Sequence, residues 1–171
     1  MNYEELKQRL REYRVQKAQL ETDKIEKRKT ERLLKTEHSD RLEVLAGAGA
    51  QKISGTPGRK GGKPKSTVEE AVVKLIDEPT EAEKRMRARI EELDAQITEL
   101  TDKTELVETW LGALNEREKT VIWHRDVMGM SWAYVSREYE QKFGYPMSDK
   151  ALQITEARGL KIICEAAGNV V

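Results

Sequence analysis

The sequence predicts an all-α protein, with long helices first and a bundle of short ones after them. Three observations predict this class. Apolar residues recur at alternating intervals of three and four over two long stretches, the signature of one helix face. Charged residues make up 36% of the 171-residue chain against 37% apolar, with a single Phe, a balance that suits long exposed helices better than a large globule. Residues 115–171 are then punctuated by Asn115, Ser131 and Ser148 as helix starters and by Gly129, Gly144 and Gly168 as helix stops.

Residues 1–45 are charged, free of Gly and Pro, and rich in helix formers. Tyr3, Leu6, Leu10, Tyr13 and, past Lys17, Leu20 form one apolar stripe of an amphipathic helix. Beyond Leu20 the stripe becomes irregular, through Ile25, Leu33, Leu34, Leu42 and Leu45, so residues 1–45 are expected to be one long helix, with a bend or interruption allowed beyond Leu20. A seam this narrow suits a partner helix. Residues 46–66 change abruptly to Ala-Gly repeats followed by a Gly/Pro/Ser/Lys-rich run, with six Gly and two Pro, and are expected to be a flexible linker. Lys52, Arg59, Lys60, Lys63 and Lys65 make this stretch basic with no acid. Such arms settle on phosphates or serve only as solubilising linkers, and both readings stay open.

Residues 67–114 begin with a short amphipathic segment, Val68, Val72, Leu75 and Ile76, which stops at Pro79. Thr80 is the expected N-cap of the next helix, with Glu81 and Glu83 favourable in its first turn. Its heptad seam runs through Met86, Ile90, Leu93, Ile97, Leu100, Thr104, Val107, Leu111 and Leu114. Two long helices on either side of a linker predict a coiled-coil hairpin within the chain or a dimer coiled coil. Linker length favours the hairpin.

In residues 115–171, Asn115 with Glu118 three residues on predicts a capping box opening a short helix. Val121, Ile122 and Arg125 to Met128 carry it, and Gly129 ends it. Ser131 is the expected cap of the following helix, whose Trp132, Val135 and Tyr139 pack inward; Trp123 and Tyr134 are also read as core. Gly144, Tyr145 and Pro146 form a turn, and Ser148 caps a last helix running to about Ala167. Two helices so joined are the arrangement of a helix-turn-helix, in which the second helix enters the DNA major groove.

The last helix, from Ser148 through Glu156-Ala157-Arg158-Gly159-Leu160, resembles the recognition helix of bacterial sigma-factor region 4. The similarity extends back through Gly129-Met130-Ser131, Val121-Ile122, Glu116-Arg117-Glu118 and Leu114. More broadly this half resembles phage transcriptional regulators of the ArpU type. The interval from Ser131 to Ser148 is longer than in the sigma pattern. The resemblance implies a sequence-specific DNA-binding transcriptional regulator of phage or prophage origin that reads promoter DNA through this module. Its implied DNA-facing residues are Ser131, Arg137, Ser148, Asp149, Lys150, Gln153, Ile154, Arg158 and Lys161. Gln153 can pair with adenine, Lys150 can approach guanine, and Asp149 can accept from cytosine or cap the helix. Arg158 is either a phosphate contact or a partner of Glu138 or Glu140. Double-stranded DNA, RNA polymerase and a second copy joined through the coiled coil are the expected partners.

Net charge is zero, which by itself argues against a polyanion partner, but the zero is a cancellation. Residues 1–66 hold 17 Lys/Arg against 10 Asp/Glu, residues 67–104 hold 6 against 11, and residues 105–171 hold 8 against 10. The basic surplus therefore lies away from the DNA-reading module. The lone Cys164 is read as a small apolar residue in a reducing cytoplasm. No run approaches the roughly 20 apolar residues of a membrane span, and the start Met1-Asn2-Tyr3-Glu4-Glu5 lacks the order of a signal peptide. His38 and His124 have no ligand-spaced partners, and no nucleophile accompanies the paired carboxylates. No enzyme activity, metal or cofactor is expected. The competing expectations are a DNA-packaging component resembling a terminase small subunit and a coiled-coil interaction protein that does not bind DNA.

Overall fold

The structure is a computed structural model that describes residues 2–53 and 78–168, with side chains up to Val44 in the first stretch. Among the described residues the chain is all-α. α1 is Tyr3–Ile53, α2 Glu81–Gly112, α3 Glu116–Ile122, α4 Trp132–Phe143 and α5 Asp149–Gly168, with a π-helix at Trp123–Val127 between α3 and α4. No described helix is long and apolar enough to cross a membrane.

Three helices start on reciprocal caps. The Asn2 side chain accepts from the Glu5 N–H at 2.8 Å while Glu5 accepts from the Asn2 N–H at 3.3 Å. Thr80 and Glu83 exchange the same bonds at 3.1 and 2.8 Å, and Asn115 and Glu118 make the third box. Each satisfies backbone donors that a helix start otherwise leaves open. Ser131 holds the expected cap position with extended backbone, but its side chain makes no capping bond.

α1 is the one long helix expected, with no interruption after Leu20, but it continues to Ile53, eight residues into the stretch read as linker. Ala46, Ala48 and Ala50 explain the extension, since Ala is the strongest helix former and offsets the interleaved Gly. The rest of that stretch, with Arg59, Lys60, Lys63 and Lys65, and the segment Val68 to Ile76 lie outside the described residues. Lys52 falls within α1, and its side chain is likewise outside them.

The described chain divides into two units to which α1 and α2 both contribute: Met1–Thr22 with Gln96–Val171, and Asp23–Ala95. In the second unit the two helices run antiparallel. Glu26 pairs with Arg89 at 2.7 Å, Lys27 with Asp94 at 2.5 Å and Arg41 with Glu83 at 2.8 Å. His38 Nδ1 also lies 3.3 Å from Glu83, so this histidine does have an acidic neighbour. Ile25, Leu33 and Leu42, expected on the seam, are exposed, and Asp23 is buried instead. On the α2 side of this unit the expected seam holds, with Leu93 buried and Met86 and Ile90 half-buried.

The first unit carries the larger core. Leu6, Leu10 and Tyr13 of α1 meet Val107, Trp110 and Leu111 of α2, Leu114 beyond it, and Ile122, Val127, Leu160 and Ile163. The short helices are thus not an appended module, since their core is continuous with the first turns of α1 and the last of α2. Tyr3, the first residue of the expected stripe, is exposed. A polar clamp closes the side of the α1–α2 contact: Lys17 Nζ donates to Glu108 at 2.6 Å and to the Tyr13 hydroxyl at 2.9 Å, and that hydroxyl donates to Glu108 at 2.7 Å. These partners raise the Lys17 pKa and lower that of Glu108.

Candidate nucleic-acid interface

The second cluster of the unit holds α4 against α5. Val121, Val135, Tyr139 and Leu152 are buried, and Met130, Trp132, Phe143 and Met147 close around them. α4 ends at Gly144, whose φ of 79° is left-handed and whose N–H bonds back to the Glu140 carbonyl, a conformation that side chains with a Cβ resist. The turn is then fastened at two points. The Ser136 hydroxyl donates to the Met147 carbonyl at 3.1 Å, and the Tyr139 and Tyr145 hydroxyls lie 3.1 Å apart. Burial of Tyr139, with the Tyr145 bond next, pushes its pKa up to about 12. Ser148 opens α5 by accepting the Ala151 N–H at 3.3 Å.

α5 separates its residues cleanly. Leu152, Glu156, Gly159, Leu160 and Ile163 face the cores. Lys150, Gln153, Ile154, Arg158 and Lys161 are exposed along the opposite face. Asp149 is exposed at the helix start, in phase with the buried Leu152 and Glu156, so five of the six sequence-derived residues on α5 share that face. Ser131 and Arg137 are exposed as well, on α4 and its start. Gly159 lets α5 approach α3: a Cβ there would lie 3.1 Å from Ile122 Cγ1.

Arg158 has a partner other than those expected, since its Nε lies 3.1 Å from Glu118 Oε1. Glu118 is buried and Arg158 is not, so the two attract as charges without a hydrogen bond at Oε1, and the Arg158 side chain remains largely in solvent. The two border a groove of about 400 Å³ with Asn115, Arg117, Tyr145 and Ile154. Arg117 lies over the Tyr145 ring at 5.7 Å. Sequence reasoning named the Glu116-Arg117-Glu118 cluster without giving Arg117 a place beside Arg158. Lys161 is 3.9 Å from Glu165 on the same helix, a weak exposed pair.

One aromatic assignment changes. Tyr134, read as core, is 38% exposed, because it lies on the outer side of α4 from Val135 and Tyr139, with its ring 6.0 Å from that of His124. Trp132 is half-buried, with Arg125 stacked 4.8 Å above it. The helix carrying Val121 to Met128 was expected to be regular, yet it turns π from Trp123 to Val127. His124 there is partly buried, and desolvation lowers its pKa, which favours the neutral ring. Among the described residues no group of three or more His, Cys, Asp or Glu is placed to hold a metal ion.

No protein-family model matches the chain, and no curated protein or solved structure does either.

Proposed function

We propose that the chain is a sequence-specific DNA-binding transcriptional regulator in which α4, the turn at Gly144 and α5 act as a helix-turn-helix, with α5 in the major groove. One observation carries this reading: Lys150, Gln153, Ile154, Arg158 and Lys161 line a single exposed face of a helix whose opposite face is buried, with Asp149 exposed at its start. A helix so seated has its base-facing side chains in fixed register. Gln153 and Lys150 are the base readers and Arg158 a phosphate contact. Arg117, in the same groove, adds a second cation.

In this reading α1 and α2 pair as an antiparallel coiled coil within one chain, which the ion pairs of Glu26, Lys27 and Arg41 support. The module has 8 Lys/Arg against 10 Asp/Glu over residues 105–171, so Lys52, Arg59, Lys60, Lys63 and Lys65 supply phosphate contacts it lacks. RNA polymerase and a second copy are its further partners, and the cytoplasm its location. The test is binding of labelled duplex DNA across a salt series, for the full chain and for a variant with those five residues neutralised. Each lost phosphate contact should flatten the slope of log affinity against log salt by about 0.9. A full chain that binds no duplex even at low salt would overturn the reading.

A further inference from the structure

A second polar constellation lies inside the first unit, on the side of α5 away from the exposed stripe. Lys7 Nζ of α1 is 2.9 Å from Glu156 Oε1 of α5 and 3.8 Å from Asp126 Oδ1 of the π-helix. Asp126 is 2% exposed and Glu156 9%. Two buried carboxylates on different elements thus share one ammonium group from a third. The other Asp126 oxygen, Oδ2, has no hydrogen-bond partner among the described residues. Such a group is costly when ionised and is easily satisfied when it carries a proton to donate.

Among the described residues, the charges acting on Asp126 are Glu156 from α5, Lys7 and Arg11 from α1, and the adjacent Arg125. Arg125 is engaged elsewhere. Its Nη1 donates to the Met130 carbonyl at 2.7 Å, and its guanidinium lies over Trp132. Lys7 is the cation within ion-pair distance of both acids, with Arg11 acting on Asp126 from farther off.

We propose that Lys7, Asp126 and Glu156 form a proton-operated latch that tightens the hold of α5 on the first turns of α1 when Asp126 takes up a proton, and slackens it when the proton leaves. With Asp126 neutral, Lys7 and Glu156 are a one-to-one pair and the partnerless Asp126 side chain carries no buried charge. When the proton passes to solvent, two buried negative charges repel each other across a single cation. Burial, and next the Glu156 carboxylate, push the Asp126 pKa from 3.8 up to about 6, so the change falls within the range of ordinary buffers. The π-helix is the element suited to give, because its widened turns pack less regularly than an α-helix and recur at functional positions. The latch is independent of whether the outer face of α5 meets DNA.

The experiment follows the side-chain carboxyl carbons of the full-length protein by NMR from pH 4 to 8, together with amide hydrogen exchange of α5 corrected for intrinsic rates. Asp126 should titrate near pH 6, and α5 protection should fall as pH rises from about 4 to about 6 and level off above that, while α4 protection stays level throughout. Lys7→Gln should raise the midpoint, and Asp126→Asn should remove the pH dependence of α5 protection. The wild-type titration decides the matter even if a variant does not fold. An Asp126 midpoint near 4, or α5 protection that keeps its pH dependence in the Asn variant, would overturn the latch.

Discussion

Replacing Asp126 by Asn should stabilise the protein at neutral pH, although it removes a group within 3.8 Å of a lysine. The side chain is 2% exposed, and the folded chain holds its proton with a pKa of about 6 against the ordinary 3.8. A carboxyl whose folded pKa is raised costs nothing below its unfolded value. The cost grows as pH climbs from about 3.8 to about 6, and it is fully present above that. Each tenfold change in proton affinity is worth about 1.4 kcal/mol, so the two values differ by about 3 kcal/mol. Asn, nearly the same shape as the protonated acid, escapes that cost. Denaturant unfolding of both proteins at pH 7.5 should therefore show the variant more stable by about 3 kcal/mol, which for a chain of this size is on the order of 6–12 °C in Tm. The difference should shrink towards zero by pH 4. Taking the difference between the proteins cancels the other carboxylates, such as Glu83 and Glu108, whose lowered pKa values act in the opposite direction. A variant no more stable than wild type at pH 7.5, or a gap that does not change with pH, would refute the reasoning.

Two further substitutions probe the frame of the interface. Asn115→Ala removes an acceptor for the Arg117 and Glu118 N–H groups, each bonded at 3.0 Å, and should cost about 1 kcal/mol by chemical denaturation. Leu152→Ala empties a fully buried position and should cost about 2–5 kcal/mol, whereas Ile154→Ala, two residues on and 62% exposed, should change stability by no more than about 0.5 kcal/mol. A larger loss from Ile154 than from Leu152 would mean that α5 is rotated from the orientation described.

The heptad of α2 was legible because its seam is apolar almost throughout: every residue from Met86 to Leu114 on it is buried or half-buried. The matching face of α1 was legible to Leu20 and, past it, only at Leu34, which is half-buried. Past that point Asp23, Lys27, Thr30 and Arg41 take the inward positions, and a pattern search reads such residues as solvated. The Asn115–Glu118 capping box was visible because it depends on residues three apart, whereas at Thr80 only the N-cap was read and the Asn2–Glu5 box was not read at all. Trp110, 2% exposed in the first core, lies between the seam positions Val107 and Leu111 and gave no periodic signal of its own. The π-helix had none either, nor did the burial of Asp126, whose neighbours Lys7 and Glu156 are distant in sequence. The outer stripe of α5 could be read because the helix start at Ser148 sets its phase. The Glu118–Arg158 pair could not, because it depends on how closely α3 and α5 approach at Gly159.

Selection of bound duplexes from a random pool, carried out with the full chain and again with Lys150 and Gln153 replaced by Ala, tests the central claim most directly. The account predicts one enriched motif for the wild type and a motif altered at the positions those side chains read. An identical motif from both proteins, or no enrichment from the wild type, would contradict it.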